Sequence, residues 1–429
     1  MHIILLGTLD TKRDEVLYLR SQLQQNAARF NTPLDITLID VGIRAIEDAE
    51  INISHTDLLR KHTPELENTE RDLFALPRGE AINYITACAT NAVSHLLKTS
   101  KVQGIIGTGG SGGTSIISAV MRTAAPIGLP KLIVSTVASG NTGPVVGETD
   151  MTLMYSVVDI AGSNGLLRTV LGNAAGAMVG MASAYETRVQ AQRKELGNKE
   201  KKQLRIGITM FGVTTPCVDA IRSHLESNYA VEVYVFHATG HGGKAMERLV
   251  DEGQLDAILD ITTTEICDLI AGGEMACDET RLETSLRKGI PTILSAGATD
   301  MVNFGPKESV PAKYKERKLY VHNPTVTLMR TSKEECEAVG RFIVDKVNEF
   351  AKKPNLVEIV VPRGGVSAIS KTGDPFEDAE ADRALFDLLR SGLEGKVRVV
   401  EDQRDVNDQG FAVDVAERLM ALVKNSGLV

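Results

Sequence analysis

The chain has 429 residues, including 38 Gly and no Trp, and its 47 basic against 56 acidic side chains give a formal net charge of −9. That length exceeds the roughly 250–300 residues at which one hydrophobic core stops growing, so two globular domains are expected. A 43% hydrophobic and 24% charged composition excludes a disordered or fibrous chain. The acidic balance, with only 10 Phe and 8 Tyr, excludes a surface dedicated to nucleic acid, which needs clustered cations and stacking rings.

In chain order, the apolar run Ile3–Gly7 reads as a first strand and is too short for a secretory h-region. Strands at Ile36–Val41, Val102–Gly107 and Leu132–Val137 follow, alternating with helical patterns at Asp14–Ala27, Ala81–Leu97, Thr114–Thr123 and Asn164 to about Val189. The last of these holds the longest uncharged stretch, Thr169–Tyr185, which is shorter than the ~20 residues of a membrane span. Segment Asp48–Pro77 has no regular pattern and is too long for an ordinary connection, so it is expected to be disordered or to cover a site.

Ala191–Gln203 has seven charged residues in thirteen and no apolar face, and it reads as a linker between a domain at 1–190 and a second at 204–429. Beyond it the alternation restarts. Strands are expected at Leu204–Met210, Val231–Phe236, Ala257–Ile261, Thr292–Ser295, Leu319–Val321, Val357–Val361 and Val397–Val400. Helices are expected at Val218–Ser227, Lys244–Glu252, Glu279–Lys288, Lys333–Phe350, Glu380–Arg390 and Phe411–Val423. Strand–helix alternation of this kind predicts an α/β protein with two Rossmann-like, doubly wound, mainly parallel sheets in tandem. Five scattered cysteines without metal-ligand spacing fit a reducing cytoplasm, with no membrane anchor.

The sharpest local signal is Gly107-Thr108-Gly109-Gly110-Ser111-Gly112-Gly113-Thr114-Ser115, between a strand and a helix. Glycines let backbone N–H groups converge on an anion, and a helix amino terminus adds its unsatisfied donors. No Lys follows in P-loop register, so the string is a generic phosphate cradle or, in the alternative, a tight turn built for packing. Thr8, Asp10, Thr11 and Lys12 leave the first strand near the same rim, and Asp10 or Thr11 could equally cap the next helix. Asp40 ends the second strand, where an acidic residue commonly accepts from a ribose hydroxyl. Ser139–Gly143 follows the fourth strand and could close the site from another side.

A second strand–glycine–helix unit, His237–Lys244, carries two histidines. With Glu265, Asp300, His322 and Arg363 at other strand ends, it would form a rim suited to binding and proton transfer at a small anionic or carbonyl compound. His241, His322, Glu265 and Arg363 are the catalytic candidates. That rim depends on all the strands being parallel. Gly172, Gly176 and Gly180 form a stripe on the long helix and predict a close helix approach, within the subunit or across a dimer interface.

Leu6–Lys12, Gly107–Thr114, Pro362–Gly365 and Asp374-Pro375-Phe376 together resemble the amino-terminal ATP-binding domain of the tomato mosaic virus resistance protein family and its bacterial and fungal relatives. The resemblance implies two Rossmann-like subdomains, a homodimer, and ATP bound in the first subdomain, with the glycine-rich loop, Gly109–Ser115, on the phosphates. In the plant member this region binds viral replication proteins and a TIM barrel follows. With no barrel before the chain ends at Val429, the antiviral role is not expected. Three functions remain open: a nucleotide-binding protein with a small-metabolite site in the interdomain cleft, an ATP-linked enzyme of carboxylate or keto-acid metabolism, and a dimeric interaction module with a structural nucleotide. No spacing identifies a metal site, although Asp10 or Asp150 could help hold Mg²⁺ beside the phosphates.

Overall fold

A computed structural model describes residues 1–64, 73, 75–197 and 203–428. The chain divides into two compact units at residues 200/201. Each is described by itself.

The first unit runs β1 (His2–Gly7), α1 (Leu9–Arg29), β2 (Asp35–Asp40), α2 (His55–Lys61), α3 (Arg78–Thr99), β3 (Gly104–Gly109), α4 (Ser111–Ala124), β4 (Lys131–Ser135), α5 (Gly143–Val146), β5 (Thr152–Tyr155) and α6 (Gly165–Gly197). Its five strands are parallel, in the order β2-β1-β3-β4-β5. Ile3, Ile4, Leu5 and Leu6 have no solvent exposure because both faces of the sheet are covered, which is why β1 is a continuous apolar run and not an alternating one. Ile4, Leu6, Ile105 and Ile133 pack on Ile85 and Cys88 of α3 and Ile117 and Val120 of α4. On the other face Ile3, Leu5, Ile106 and Leu132 pack on Val16, Leu19 and Leu23 of α1 and Leu171 and Met178 of α6.

The second unit runs β6 (Leu204–Met210), α7 (Thr215–Asn228), β7 (Val231–His237), α8 (Gly242–Asp251), β8 (Ala257–Thr262), α9 (Thr264–Ala271), α10 (Glu283–Lys288), β9 (Thr292–Gly297), β10 (Met301–Phe304), β11 (Leu319–Asn323), β12 (Val326–Arg330), α11 (Lys333–Phe350), β13 (Val357–Pro362), α12 (Ala379–Gly392), β14 (Arg398–Asp402) and α13 (Gln409–Ser426). Six parallel strands, β14-β13-β9-β8-β6-β7, form the main sheet. Residues of α7 and α13 cover one face, and residues of α9, α11 and α12 enter the core on the other. Both units therefore share one strand order, with the first strand between the second and third.

Several expectations are corrected. Leu319–Asn323 is not part of the parallel series. It pairs antiparallel with β12, which also pairs with β10, in a separate three-stranded sheet. Strands β5, β10 and β12 and helix α9 were not expected from the sequence; β10 is short and wholly buried, so it shows no alternation. The Glu279–Lys288 helix starts only at Glu283, because Leu282 has φ +78. Within Asp48–Pro77, α2 is a helix capped by the Ser54 side chain, and Ile53 bridges Ile39; residues 65–72 and 74 lie outside the described residues. Helix α6 continues to Gly197, into the segment read as a linker, and 198–202 lie outside the described residues.

The glycine stripe of α6 lies partly against α1, as a helix approach within the subunit predicts, but among the described residues the contact leaves room for a side chain. A Cβ at Gly172 or Gly176 would meet only Gln22 Oε1 at 3.6 Å or Asn26 Oδ1 at 3.5 Å, and at Gly180 nothing within 4 Å. Among the described residues no helix is long and apolar enough to cross a membrane.

Candidate functional site

In the first unit β1 and β3 are neighbours, yet α1 leaves β1 toward one face of the sheet and α4 leaves β3 toward the other. The two connections diverge and open a crevice at the carboxyl ends of β1 and β3, the switch point where doubly wound sheets bind ligands. The glycine string straddles this point. Gly107 and Gly109 belong to β3, Gly110 is the N-cap of α4, and Ser111, Gly112 and Gly113 form its first turn. No side chain caps α4, and Thr8 does not cap α1, whose first amide, Leu9 N, donates to the Asp40 side chain instead.

The glycines divide by what a Cβ would meet. At Gly107 it would lie 2.9 Å from Ile117 Cγ2 and Leu6 O, and at Gly109 2.9 Å from the Gly113 backbone, so these two serve strand–helix packing. At Gly110, Gly112 and Gly113 the nearest atoms are Thr136 Oγ1 at 3.9 Å, Arg78 Nη2 at 3.6 Å and Thr8 Cγ2 at 3.7 Å. Among the described residues nothing requires glycine there for lack of room.

Around this opening the predicted residues take different parts. Thr8, Thr11 and Lys12 sit at the mouth, with Thr11 Oγ1 donating to Thr8 Oγ1 at 3.3 Å. Ser111 and Ser115 are exposed on the first two turns of α4. Thr114 is buried and its hydroxyl is shared with Gly109 O (3.2 Å) and Ser135 Oγ (2.7 Å), so it pins α4 to β3 and β4 and offers no group to a ligand. Asp10 Oδ2 accepts from Ile43 N (3.1 Å) and Arg44 N (3.2 Å), which fixes the turn after β2 in place of capping α1.

Asp40 is fully buried. Its Oδ1 accepts from Leu9 N (3.1 Å) and Gly42 N (2.9 Å), and burial raises its carboxyl above the usual range against those two hydrogen bonds. It lies beneath the loop, away from the surface where a ribose was expected to meet it. Asp40 Oδ2 and Thr108 Oγ1, on either side of Gly7, are buried without a hydrogen-bond partner among the described residues. Asp150 is held by Lys131 Nζ at 2.7 Å. Neither Asp10 nor Asp150 therefore fits a dedicated Mg²⁺ ligand. Among the described residues no group of three or more His, Cys, Asp and Glu is placed to hold a metal ion.

The second glycine cluster has the opposite character. A Cβ at Gly242 would overlap His237 O, one at Gly243 would overlap Arg281 Nε and Glu265 Oε2, and one at Gly240 (φ +84) would lie 2.8 Å from Ala276 O. All three glycines are needed for the loop to rest on a buried ionic cluster. Arg281, 1% exposed, reaches Glu265 Oε2 (2.9 Å), both Asp260 oxygens (2.6 and 2.8 Å) and Glu247 Oε1 (3.3 Å). Glu265 Oε1 accepts from the Gly240 and Gly243 amides at 2.8 and 3.2 Å. Burial opposes the guanidinium charge, but the three carboxylates hold it. The cluster is a structural hub that no motif announced, since Arg281 stands in a polar stretch that looks like a surface helix.

The catalytic candidates are not assembled into one rim. Glu265 is consumed in this hub, His241 is exposed as the N-cap of α8, and Lys244 pairs with Asp278 (3.2 Å). His322 is exposed on β11, in the antiparallel sheet and off the parallel rim. Arg363 pairs with Glu401 at 2.6 Å. Asp300 is wholly buried, with Oδ2 accepting from Ser367 Oγ (2.7 Å) and its carboxyl pushed up to about 7 by burial, partly offset by Arg330. Gly364 is likewise structural, since its Cβ would lie 2.6 Å from Asp405 N.

Fold and crevice together define a protein of two doubly wound α/β units, the first with an open, glycine-lined switch point. The chain belongs to the Uncharacterised protein family (UPF0261), whose N-terminal domain matches residues 1–187 and whose C-terminal domain matches 203–423. It is 43% identical over 423 residues to a UPF0261 protein of Clostridium tetani, covering 98% of this chain and 99% of that protein. It is 39% identical over 434 residues to the ToMV resistance protein Tm-1(GCR237) of Solanum lycopersicum, covering 99% of this chain but 56% of the tomato protein. Among solved structures, UDP-GlcNAc 2-epimerase from Neisseria meningitidis aligns over 91% of this chain and all of its own, at 9% identity and a TM-score of 0.20, too distant to bear on function.

Proposed function

We propose that the first unit binds a nucleotide, with its phosphates at the amino terminus of α4 among Gly110, Ser111, Gly112 and Gly113 and with Thr8, Thr11 and Lys12 across the crevice. The observation that carries this reading is the contrast between glycines. Those at 240–243 are required by the chain's own packing, whereas Gly110, Gly112 and Gly113 leave room that backbone N–H groups line. The geometry supports an anion; the choice of ATP comes from the family resemblance, which also extends the reading to a homodimer. Any Mg²⁺ would arrive with the phosphates, since Asp10 and Asp150 are engaged elsewhere.

Isothermal titration tests the site. Gly112→Val places methyl groups where the phosphates would lie, while among the described residues the only neighbour within 4 Å of its Cβ is the end of the exposed Arg78 side chain, so the fold should be kept. ATP binding should weaken at least tenfold with an unchanged circular dichroism spectrum. Undiminished binding by this variant would remove the assignment.

A further inference from the structure

The outermost strand of a sheet presents a row of unpaired N–H and C=O groups, and proteins disarm such edges by shortness, charge, a bulge or a cover. Most edges of this protein are disarmed in one of these ways. Segment 50–54 covers β2, with Asp40 N donating to Ile53 O and Asn52 N to Leu38 O, each at 3.0 Å. Strand β5 has four residues, β10 is wholly buried, and β11 is interrupted by a bulge after Val321. In β14, Arg398, Glu401 and Asp402 are charged, and Glu401 is held by Arg363 and Arg390.

Strand β7, Val231-Glu232-Val233-Tyr234-Val235-Phe236-His237, is the exception among the described residues. It ends the six-stranded sheet, holds seven residues with Glu232 as its single carboxylate and no Lys or Arg, and leaves Val235 39% exposed. Its ladder with β6 fixes which groups face outward. Leu204 N donates to Ala230 O and Ala238 N to Met210 O, so in this parallel pair the even-numbered residues bond β6 and the odd-numbered ones turn their backbone groups to the free edge. Val231 N and His237 O are spent locally, on Tyr229 O and Thr239 N. Val231 O, both groups of Val233 and Val235, and His237 N have no partner among the described residues.

We infer that β7 is the contact strand of a homodimer, pairing antiparallel with β7 of a second copy about a twofold axis at Tyr234. A twofold axis requires antiparallel strands, and outward groups on odd-numbered residues require odd opposite odd. The register that overlaps all seven residues puts Val233 opposite Val235, Val231 opposite His237, and Tyr234 opposite its own copy. It uses every free group: Val233 and Val235 exchange hydrogen bonds in both directions, and His237 N donates to Val231 O. The side chains match as well. Val meets Val, Tyr meets Tyr, and Glu232 meets Phe236, so no like charges stand opposed. A strand of unrelated sequence would make the backbone bonds without this match, which is what selects a second copy. Pairing through β7 needs no nucleotide, and it rests on the homodimer reading above only for the number of copies.

Sedimentation of the full chain and of two edge variants is the test. Val235→Pro removes an outward N–H while leaving the bonds to β6, and Val235→Lys sets a charge into each Val pair. Each should weaken the dimer on the order of 100-fold with an unchanged circular dichroism spectrum. Tyr234→Cys brings two thiols together at a non-hydrogen-bonded pair, about 4.5 Å between Cα atoms and within disulfide reach, so oxidation by diamide should cross-link it. Glu232→Cys, opposite Phe236, should not cross-link, and the five native thiols are buried. A monomeric wild type overturns this interface and the homodimer reading together. A dimer that survives both Val235 variants, or that cross-links as readily through Glu232→Cys, overturns the β7 interface and leaves the homodimer reading standing.

Discussion

Replacing Gly243 and Gly112 by Ala should have opposite consequences, although both are the second residue of a helix that follows a parallel strand. Ala is favoured over Gly in a helix by up to about 1 kcal/mol, so propensity alone predicts slight stabilisation of both variants. At Gly243 the new methyl overlaps Arg281 Nε and Glu265 Oε2 and falls 2.8 Å from Arg281 Cζ, all in the wholly buried cluster. Arg281 cannot yield without losing Glu265, and an unpaired buried charge costs about 3–5 kcal/mol. Subtracting the propensity gain leaves a net loss of about 2–4 kcal/mol for Gly243→Ala. At Gly112 the methyl makes ordinary contact with a solvent-exposed arginine, and stability should stay within about 1 kcal/mol of wild type. Because the chain lacks Trp, urea unfolding is best followed by far-ultraviolet circular dichroism with tyrosine fluorescence as the second probe, fitting separate transitions if the two units unfold apart. Equal stability of Gly243→Ala and wild type would refute the claim that the cluster dictates this glycine. A large loss in Gly112→Ala would show that the first loop, too, is built for packing, and the cradle with it would go.

Asp300 keeps a proton in the folded state up to about pH 7, whereas the unfolded chain releases it near the ordinary 3.8, so stability should fall as pH rises between these values, by about 1.4 kcal/mol per unit. Asp268, also raised by burial to about 7, adds the same slope; Asp300→Asn should remove one share of it between pH 5 and 7, and an unchanged slope would refute the assignment. Lys131 is 1% exposed and donates to Pro126 O, Leu129 O and Asp150 Oδ1, each at 2.7 Å. Lys131→Met strands those two carbonyls and should cost about 2–4 kcal/mol in a denaturant titration; a loss below about 0.5 would mean that the contacts are idle. All five cysteines are buried, with Cys217 and Cys277 pushed up to about 12 and Cys336 to about 11 chiefly by burial, so a thiol reagent at pH 8 should react slowly with the native protein and count five thiols only after denaturation.

The legibility of the candidate site differs between its parts for a physical reason. Thr8, Lys12 and Gly110–Gly113 were readable because a strand–glycine–helix string states its own local geometry. That the Arg78 side chain ends beside Gly112 was not, because it depends on α3 lying beside α4, which is a property of packing. The same limit produced the errors. His237–Lys244 has the same local signature as the first loop, and only the buried Arg281 cluster reveals that its glycines are spent on protein contacts. His322 looked like a strand-end residue of the parallel sheet until its strand was seen to pair antiparallel with β12.

By itself the sequence determined the α/β class, the two-unit organisation expected from length, and most strands and helices. These follow from apolar periodicity and from glycine, which act over a few residues along the chain. Tertiary structure alone decided the strand order, and with it the switch point between β1 and β3. It also decided which glycines face open space and which carboxylates are bound to other groups of the protein. Those properties arise between residues far apart in the chain, as when Gly7 finds Asp40 on one side and Thr108 on the other. No local pattern encodes them.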